Sequence, residues 1–467
     1  MKVAFVVFGS RGDVQPFVAI AKELIRRGTP SVILAQGLFQ PWIESEGIQF
    51  VNLPGNFTKD MSESLVAKAI LTGNMKILLE DFYNKERVGQ TVFQVLRYLK
   101  SDKEVTLVAC GPAITFLAPM MYQISGVPFC GIHLFLDLVP SSQIPCQLFP
   151  VILPFGLSIQ LYNMLLHSAL HGPLIKYVKE LDFSDICDFD TKKAVFQPQL
   201  SLPHYFACSY NIMPRPTDWP ADILVGGSVL YENRFGADTL SSKTAAFLQQ
   251  GNAPVYIGFG SLPADLCTDY PAFIDELVDH SDTATRFIVF ARNMDNSNVT
   301  SASGETLQRK WENSKRVLVV TSEPHHILFP RCSVIVHHGG AGTTAEAARS
   351  GKPAVICPFC ADQPVWANYI GKAGAGINAG PFRRLTGKQL ALLIIKAQEP
   401  KMMAVAKELG VRIREERGLE NACDWLMALA GGNFALRKEL TWFEWLWGLL
   451  LALFGIQFIP QLSKKTN

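Results

Sequence analysis

The densest chemistry in the chain lies in HHGGAGTTAEAARSGKP, residues 337–353. Gly339, Gly340 and Gly342 remove side chains where an apolar strand pattern gives way to a helical one, so backbone N–H groups can approach an anion. A helix from Thr343 onward adds the positive end of its dipole and a hydroxyl, and His337 and His338 add further donors. That is a cradle for a diphosphate. Tight packing also selects glycine at such a turn, so the adjacent histidines carry more weight than the glycines alone. Glu346, four residues beyond Gly342, suits the vicinal hydroxyls of a ribose or else is a solvated glutamate on a helix face. Asp362 and Gln363 follow a strand end, where ligands sit in open α/β sheets, and an acid beside an amide suits sugar hydroxyls.

A second constellation closes the first apolar run, as Gly9-Ser10-Arg11-Gly12-Asp13. At the start of a helix, Asp13 can take a proton from an acceptor hydroxyl, or it can simply complement the helix dipole. No third glycine follows, which argues against a dinucleotide fingerprint.

The elements that must hold these residues recur in two cycles. Residues 3–8 are a continuous apolar run, 14–27 have helical periodicity with Phe17, Ile20, Ala21, Leu24 and Ile25 on one side, and 31–35 are strand-like again. Strand, glycine loop, helix, strand opens a doubly wound α/β domain. Further strands are expected at 105–110 and 128–134. The second cycle brings strands at 254–259, 286–291, 317–321, 333–337 and 354–358, with a helix at 271–280. The expected fold class is therefore α/β, two facing Rossmann-like domains. The division is a first domain over 1–215, a linker over 216–250, a second domain over 251–432 and a hydrophobic tail over 433–467.

Bulk properties agree with a folded enzyme of more than one domain, since 467 residues exceed one ordinary core. A net charge of +2 argues against a protein built to coat nucleic acid. Thirty Phe and 28 Pro hint at apolar surface or an apolar ligand. The ten cysteines are scattered, and only Cys357 and Cys360 have redox spacing; reduced thiols are the plainer reading. The N-terminal apolar run is too short for a secretory signal and is followed by no cleavage site, so the active regions are expected on the cytoplasmic side.

Two segments stand apart. Residues 138–175 contain no Asp, Glu, Lys or Arg, and their prolines break any spanning helix. The prolines are five, at 140, 145, 150, 154 and 173. The segment is either a buried core helix with its loops or the greasy wall of an acceptor pocket. Residues 442–460 carry one charge, Glu444, with Trp442, Trp445 and Trp447 at one end. They are just long enough for a bilayer core of ~30 Å. A membrane-attached tail is expected, interfacial in preference to spanning, and hence a peripheral membrane protein.

Together these features resemble the glycosyltransferases of GT-B fold that include sterol glucosyltransferases and bacterial antibiotic glycosyltransferases. The matching stretches are GSRGDVQPFVAI at 9–20, PVYIGFGS at 254–261 and EPHHILFPRCSVIVHHGGAGTTAEAARSGKPAVICPFCADQPVWANYI at 323–370. The resemblance implies that the domain over 1–215 binds the acceptor and that over 251–432 the nucleotide sugar, with Asp13 as the general base. It implies diphosphate contacts from His338, Gly340, Gly342, Thr343 and Ser261, with Ser10, Arg11 and Gly12 also on the donor. Glu346 would take the ribose, Asp362 and Gln363 the sugar, and His325 the uracil edge. The implied reaction is one in-line displacement with inversion, with no essential metal and no cofactor beyond the UDP-sugar donor. A lipophilic acceptor such as a sterol fits the apolar segments; a polyketide-like acceptor, or an epimerase or hydrolase of the same fold, are the alternatives. Cys360-Ala361 stand where sterol enzymes carry an aromatic residue and Gly, and this Ala is nearer the antibiotic enzymes. Pro324-His325 and Leu328-Phe329-Pro330 are nearer the sterol ones.

Overall fold

The computed structural model describes residues 1–55, 85–136, 139, 141, 143–144, 201–231, 239–260, 270–290, 307–360 and 362–435. These residues group into two compact units, one drawn from 1–231 together with 417 onward, the other from 232–416.

The first unit is built on seven strands, β1 (Lys2–Val6), β2 (Ser31–Gln36), β3 (Gln49–Leu53), β4 (Val105–Cys110), β5 (Phe129–His133), β6 (His204–Phe206) and β7 (Leu224–Val225). Their order is β3-β2-β1-β4-β5-β6-β7, and every pairing is parallel. β1 and β2 are buried along their whole length, which is why they read as unbroken apolar runs rather than alternating ones. The helix Arg11–Arg26 buries Val14, Phe17, Val18, Ile20, Ala21 and Leu24, and Phe17 meets Phe5 of β1 edge-on at 5.9 Å. Each of the larger buried side chains, Val, Phe, Ile or Leu, contributes roughly 1.5–3 kcal/mol.

The second unit carries six strands, β8 (Val255–Gly258), β9 (Phe287–Phe290), β10 (Val317–Val320), β11 (Val334–His337), β12 (Ala354–Ile356) and β13 (Gly376–Asn378). Their order is β10-β9-β8-β11-β12-β13, again all parallel. The core comprises Val255, Ile257, Phe287, Val289, Val334, Val336 and Val355 among others, all fully buried.

Each sheet reverses its strand order once, between β1 and β4 in the first unit and between β8 and β11 in the second. Beyond the carboxyl ends of strands at such a reversal, the flanking loops diverge and leave room for a ligand. Gly9–Asp13 follows β1, Gly260 follows β8, and His338–Gly340 follows β11. Both constellations singled out in the sequence therefore occupy the switch point of their own sheet.

The last described helix, Gly418–Ala428, belongs to the first unit, although the sequence placed it with the C-terminal domain. Asn421 donates to the Gly226 carbonyl at 2.8 Å, Asp424 pairs with Arg27 at 2.6 Å, and Tyr205 donates to the Gly418 carbonyl at 3.2 Å. A Cβ on Gly418 would fall 2.2 Å from the Ser228 carbonyl oxygen, so only glycine permits this approach. The division consequently lies at Arg417 rather than after 432, and the first unit runs to Tyr231 rather than 215. The apolar face of this helix, Ala422, Cys423 and Leu426, specifies burial but not the partner.

Residues 138–175, apart from 139, 141, 143 and 144, lie outside the described residues, as does the tail segment 442–460. Among the described residues, no helix is long and apolar enough to cross a membrane.

Candidate active site

The cradle is assembled from the end of β11. Gly339 turns the chain at φ +96°, a conformation that favours glycine. Gly340 is the N-cap, in extended conformation, of the helix Ala341–Arg349. That helix begins two residues earlier than Thr343, so Gly342 and Thr343 lie within its first turn. The Thr344 amide is the first to bond back, to the Gly340 carbonyl at 2.9 Å. The amides of Ala341, Gly342 and Thr343 are thus the donors that a helix start leaves over, and a glycine N-cap has no side chain to occupy them. Together with the dipole they have the chemistry to receive an anion.

The three glycines do different work. A Cβ at Gly342 would meet nothing within 4 Å, so this position is open to a ligand. A Cβ at Gly340 would lie 2.5 Å from His338 Nε2, and one at Gly260 would lie 2.7 Å from His338 Cε1. The His338 imidazole is therefore held between two stretches of bare backbone. Gly339 packs against the second sugar-side residue, since its Cβ would fall 3.0 Å from the Gln363 carbonyl oxygen. Packing accounts for glycine at 339 and 340, whereas nothing in the protein crowds position 342.

Burial lowers the pKa of His338 to about 4, while the nearby Gly258 carbonyl works in the opposite sense. The imidazole is neutral at pH 7 and offers one N–H. Its Nδ1 is buried with no hydrogen-bond partner among the described residues. His337 differs from the expectation that it supplies a donor to the ligand. It is fully buried on β11, and its Nδ1 accepts the Gly339 N–H at 3.1 Å. That bond places the ring hydrogen on Nε2, which has no partner among the described residues. His337 thus supports the glycine turn from beneath.

Around the cradle lie the other predicted donor residues. His325 starts the short helix His325–Leu328, stacks on Phe329 with centroids 4.3 Å apart and planes at 16°, and meets the Tyr256 hydroxyl at 3.2 Å. Burial, followed by the neighbouring His338 and His326, pushes its pKa down to about 4. Glu346 is buried and paired with Arg349 at 3.0 Å, so it is not a solvated glutamate. Asp362 stands at the N-cap position of the helix Gln363–Lys372 without a side-chain capping bond, and its Oδ2 accepts the buried Trp366 indole N–H at 3.0 Å. Gln363 turns its carbonyl inward to the amides of Phe359 at 2.8 Å and Cys360 at 3.2 Å, and its NH2 group reaches the Cys360 sulfur at 4.0 Å. Cys357 and Cys360 are both free thiols. Ser261 lies outside the described residues.

In the first unit, Asp13 is fixed by its own helix start. Its Oδ2 accepts the Ser10 backbone N–H at 2.7 Å and the Ser10 hydroxyl at 2.8 Å. Both donors thus converge on one carboxylate oxygen. Burial raises the Asp13 pKa, and the two Ser10 donors offset part of that rise. The result is a stronger base than an ordinary carboxylate. Gly9 is indispensable to this arrangement, because at φ +145° its Cβ would fall 2.5 Å from Asp13 Oδ2. Gln36, at the end of β2, accepts the Gly9 N–H at 3.3 Å. Arg11 is exposed, with its guanidinium 4.8 Å over the Trp42 ring. Gly12 is exposed beside it. Sequence reasoning missed Gly9, Gly260 and Gln36 as positioning residues. Only the two glycines left a signal, each being the first residue after a strand-end apolar run.

Two family models match this chain. Residues 3–122 match the glycosyltransferase family 28 N-terminal domain, and residues 299–416 match the erythromycin biosynthesis protein CIII-like C-terminal domain. Among curated proteins, the chain is 27% identical to the sterol 3-beta-glucosyltransferase UGT80B1 of Arabidopsis thaliana, over 91% of this chain and 67% of that protein. It is also 27% identical to the O-mycaminosyltylonolide 6-deoxyallosyltransferase of Streptomyces fradiae, over 91% of this chain and 96% of that protein. The chain spans only 64% of a second Arabidopsis sterol 3-beta-glucosyltransferase and 26% of the Debaryomyces hansenii one. Among solved structures, it resembles the calicheamicin glycosyltransferase CalG4, with a TM-score of 0.64 at 14% identity over 92% of this chain and 99% of that one. The glycosyltransferase VinC, solved in complex with DTDP, gives a TM-score of 0.60 at 17% identity over 92% and 100% of the two chains. These structural likenesses establish the two-sheet GT-B fold.

Proposed function

We propose that this chain, a member of the GT-B glycosyltransferases, moves a hexose from a UDP-sugar, glucose foremost, to a hydroxyl of a lipophilic acceptor such as a sterol. The observation that carries the donor half is the open helix start after β11. Three first-turn amides and a neutral His338, held between glycine backbones, are suited to a diphosphate whose charge grows as it leaves. His325 on its Phe329 platform is suited to the edge of a base, Glu346 to the ribose, and the Asp362–Gln363 pair to sugar hydroxyls.

Asp13 supplies the proton step. The acceptor oxygen attacks the anomeric carbon, the bond from that carbon to the phosphate oxygen breaks, and the nucleoside diphosphate leaves with the electron pair. The acceptor proton passes to the Asp13 carboxylate. An acceptor hydroxyl is far too weak an acid to ionise at pH 7, so proton removal during attack contributes about 100- to 10,000-fold. A single displacement inverts the anomeric centre. Charge on the leaving group is met by the helix amides and His338, and no metal is assigned to the step.

The lipid acceptor rests on the charge-free stretch 138–175 and on the sterol-specific names of several relatives. A polyketide-like acceptor is the second reading, favoured by the near full-length match to the Streptomyces fradiae enzyme. Incubation with a panel of labelled nucleotide sugars and a lipid extract, with products identified by mass, separates the two. A sugar-bearing sterol or lipid supports the first reading. Donor consumption without any glycosylated product contradicts transfer altogether and points to the epimerase or hydrolase alternative.

A further inference from the structure

We propose that the outward face of the helix Gly387–Ala397, in the second unit, docks on an anionic lipid surface. This helix buries Leu390, Ala391, Ile394 and Ala397, and Gly387 brings it so close to a neighbouring helix that a Cβ there would lie 2.5 Å from the Leu277 amide. Its start is fixed by Thr386, whose hydroxyl accepts the Gln389 amide at 3.1 Å while the Gln389 side chain accepts the Thr386 amide at 3.0 Å. The helix is thus rigidly mounted, and its other face is presented without freedom to turn inward.

That other face carries Lys388, Leu392, Ile395 and Lys396, a spacing that places all four on one stripe. Leu392 is 61% exposed and Ile395 58% exposed, the two most exposed large apolar side chains among the described residues. Single exposed aliphatics need no explanation. Here, however, two of them share one stripe bounded at both ends by exposed lysines. Residues 381–398 hold Arg383, Arg384, Lys388 and Lys396 and contain no Asp or Glu, within a chain whose whole net charge is only +2. Folding gives no reason for this pattern, because Ile is a poorer helix former than the Lys, Glu or Gln that would suit an exposed position.

An interfacial lipid site accounts for every part of it. The two aliphatic side chains enter the headgroup layer, the lysine stems lie along it with their ammonium groups at the phosphates, and the acid-free segment matches the negative surface. A second copy of the chain fits less well, since a two-fold contact sets each cationic stripe against itself. This docking is independent of residues 433–467 and of the reaction the chain performs.

The test is flotation of the full chain with phosphatidylcholine vesicles, with and without phosphatidylserine. Wild-type protein, Lys388→Gln/Lys396→Gln and Leu392→Gln/Ile395→Gln are compared, and melting temperatures are measured to show that the exposed substitutions leave the fold intact. All three chains retain the C-terminal tail, so its contribution is common to them. The expected result is tighter binding of wild type to the phosphatidylserine vesicles. The lysine variant should lose about 10- to 30-fold of that affinity, and the aliphatic variant roughly tenfold. If both folded variants bind phosphatidylserine vesicles as wild type does, the inference is wrong. It is equally wrong if the substitutions split a dimer seen by sedimentation while vesicle binding is unchanged.

Discussion

Replacing Gly9 by Ala, a change of one methyl group, should disable the base without touching it. The new Cβ would stand 2.5 Å from Asp13 Oδ2, where ordinary contact begins at 3.4 Å, and the φ of +145° is unfavourable for any L side chain. The carboxylate must retreat by about 1 Å, a misplacement that costs on the order of 100-fold when it affects a reacting group. The backbone strain adds about 1–3 kcal/mol of lost stability. Steady-state turnover with donor and acceptor saturating, alongside donor affinity by calorimetry, separates the effects. We expect kcat to fall roughly 100-fold while donor affinity is retained, because the cradle belongs to the other unit. In an Asp13→Asn background the same Gly9→Ala change should cost nothing further in turnover, since the group it displaces no longer acts. A folded Gly9→Ala enzyme with wild-type kcat, or an additive loss in the double variant, would refute the positioning role.

Three further outcomes follow from the same geometry. Gly340→Ala should weaken nucleoside diphosphate binding at least tenfold by pushing the His338 ring off its seat, one lost charge-assisted contact being about 1.5–3 kcal/mol, and should lower the melting temperature; Gly342→Ala, with open space around its Cβ, should leave the melting temperature unchanged, and an equal fall in melting temperature from both would contradict the division of roles. Burial holds the Asp13 carboxyl above its ordinary value of 3.8 and the Ser10 donors pull it down, so the acid limb of kcat/KM should shift to higher pH in Ser10→Ala; a shift to lower pH would reverse the electrostatic assignment. Because the folded-state pKa of Asp13 exceeds the unfolded one, ionising it costs stability above that pKa, at about 1.4 kcal/mol per tenfold change in proton affinity. Asp13→Asn keeps an acceptor for Ser10 and removes the charge, so it should melt higher than wild type at pH 7, with the advantage fading toward pH 4; a lower melting point at pH 7 would overturn this.

Much of the sheet architecture was legible because parallel strands, buried on both sides, read as unbroken apolar runs. The strand expected at 105–110 is β4 itself, and the run at 333–337 is β11 with one residue trimmed. β6 and β13, three residues each, gave no comparable run and were missed. Helix starts were less legible. Thr343 looked like the first helical residue, but Gly340 in extended conformation can cap a helix as well as a hydroxyl residue can, so the turn closes two residues sooner. Glu346 illustrates a different limit, since a helix-face position says nothing about whether Arg349 will fold back onto it. The glycines show the deepest one. Their letters are identical at 339, 340 and 342, and only the neighbours in space reveal which make room for a side chain and which make room for a ligand.

The central claim is that the helix start after β11 receives a diphosphate. A crystal structure of the chain soaked with UDP tests it most directly. The diphosphate oxygens should lie within hydrogen-bond distance of the amides of Ala341, Gly342 and Thr343, with the His338 ring beside them. A nucleotide bound elsewhere, or bound here with its phosphates turned away from those amides, would contradict the account.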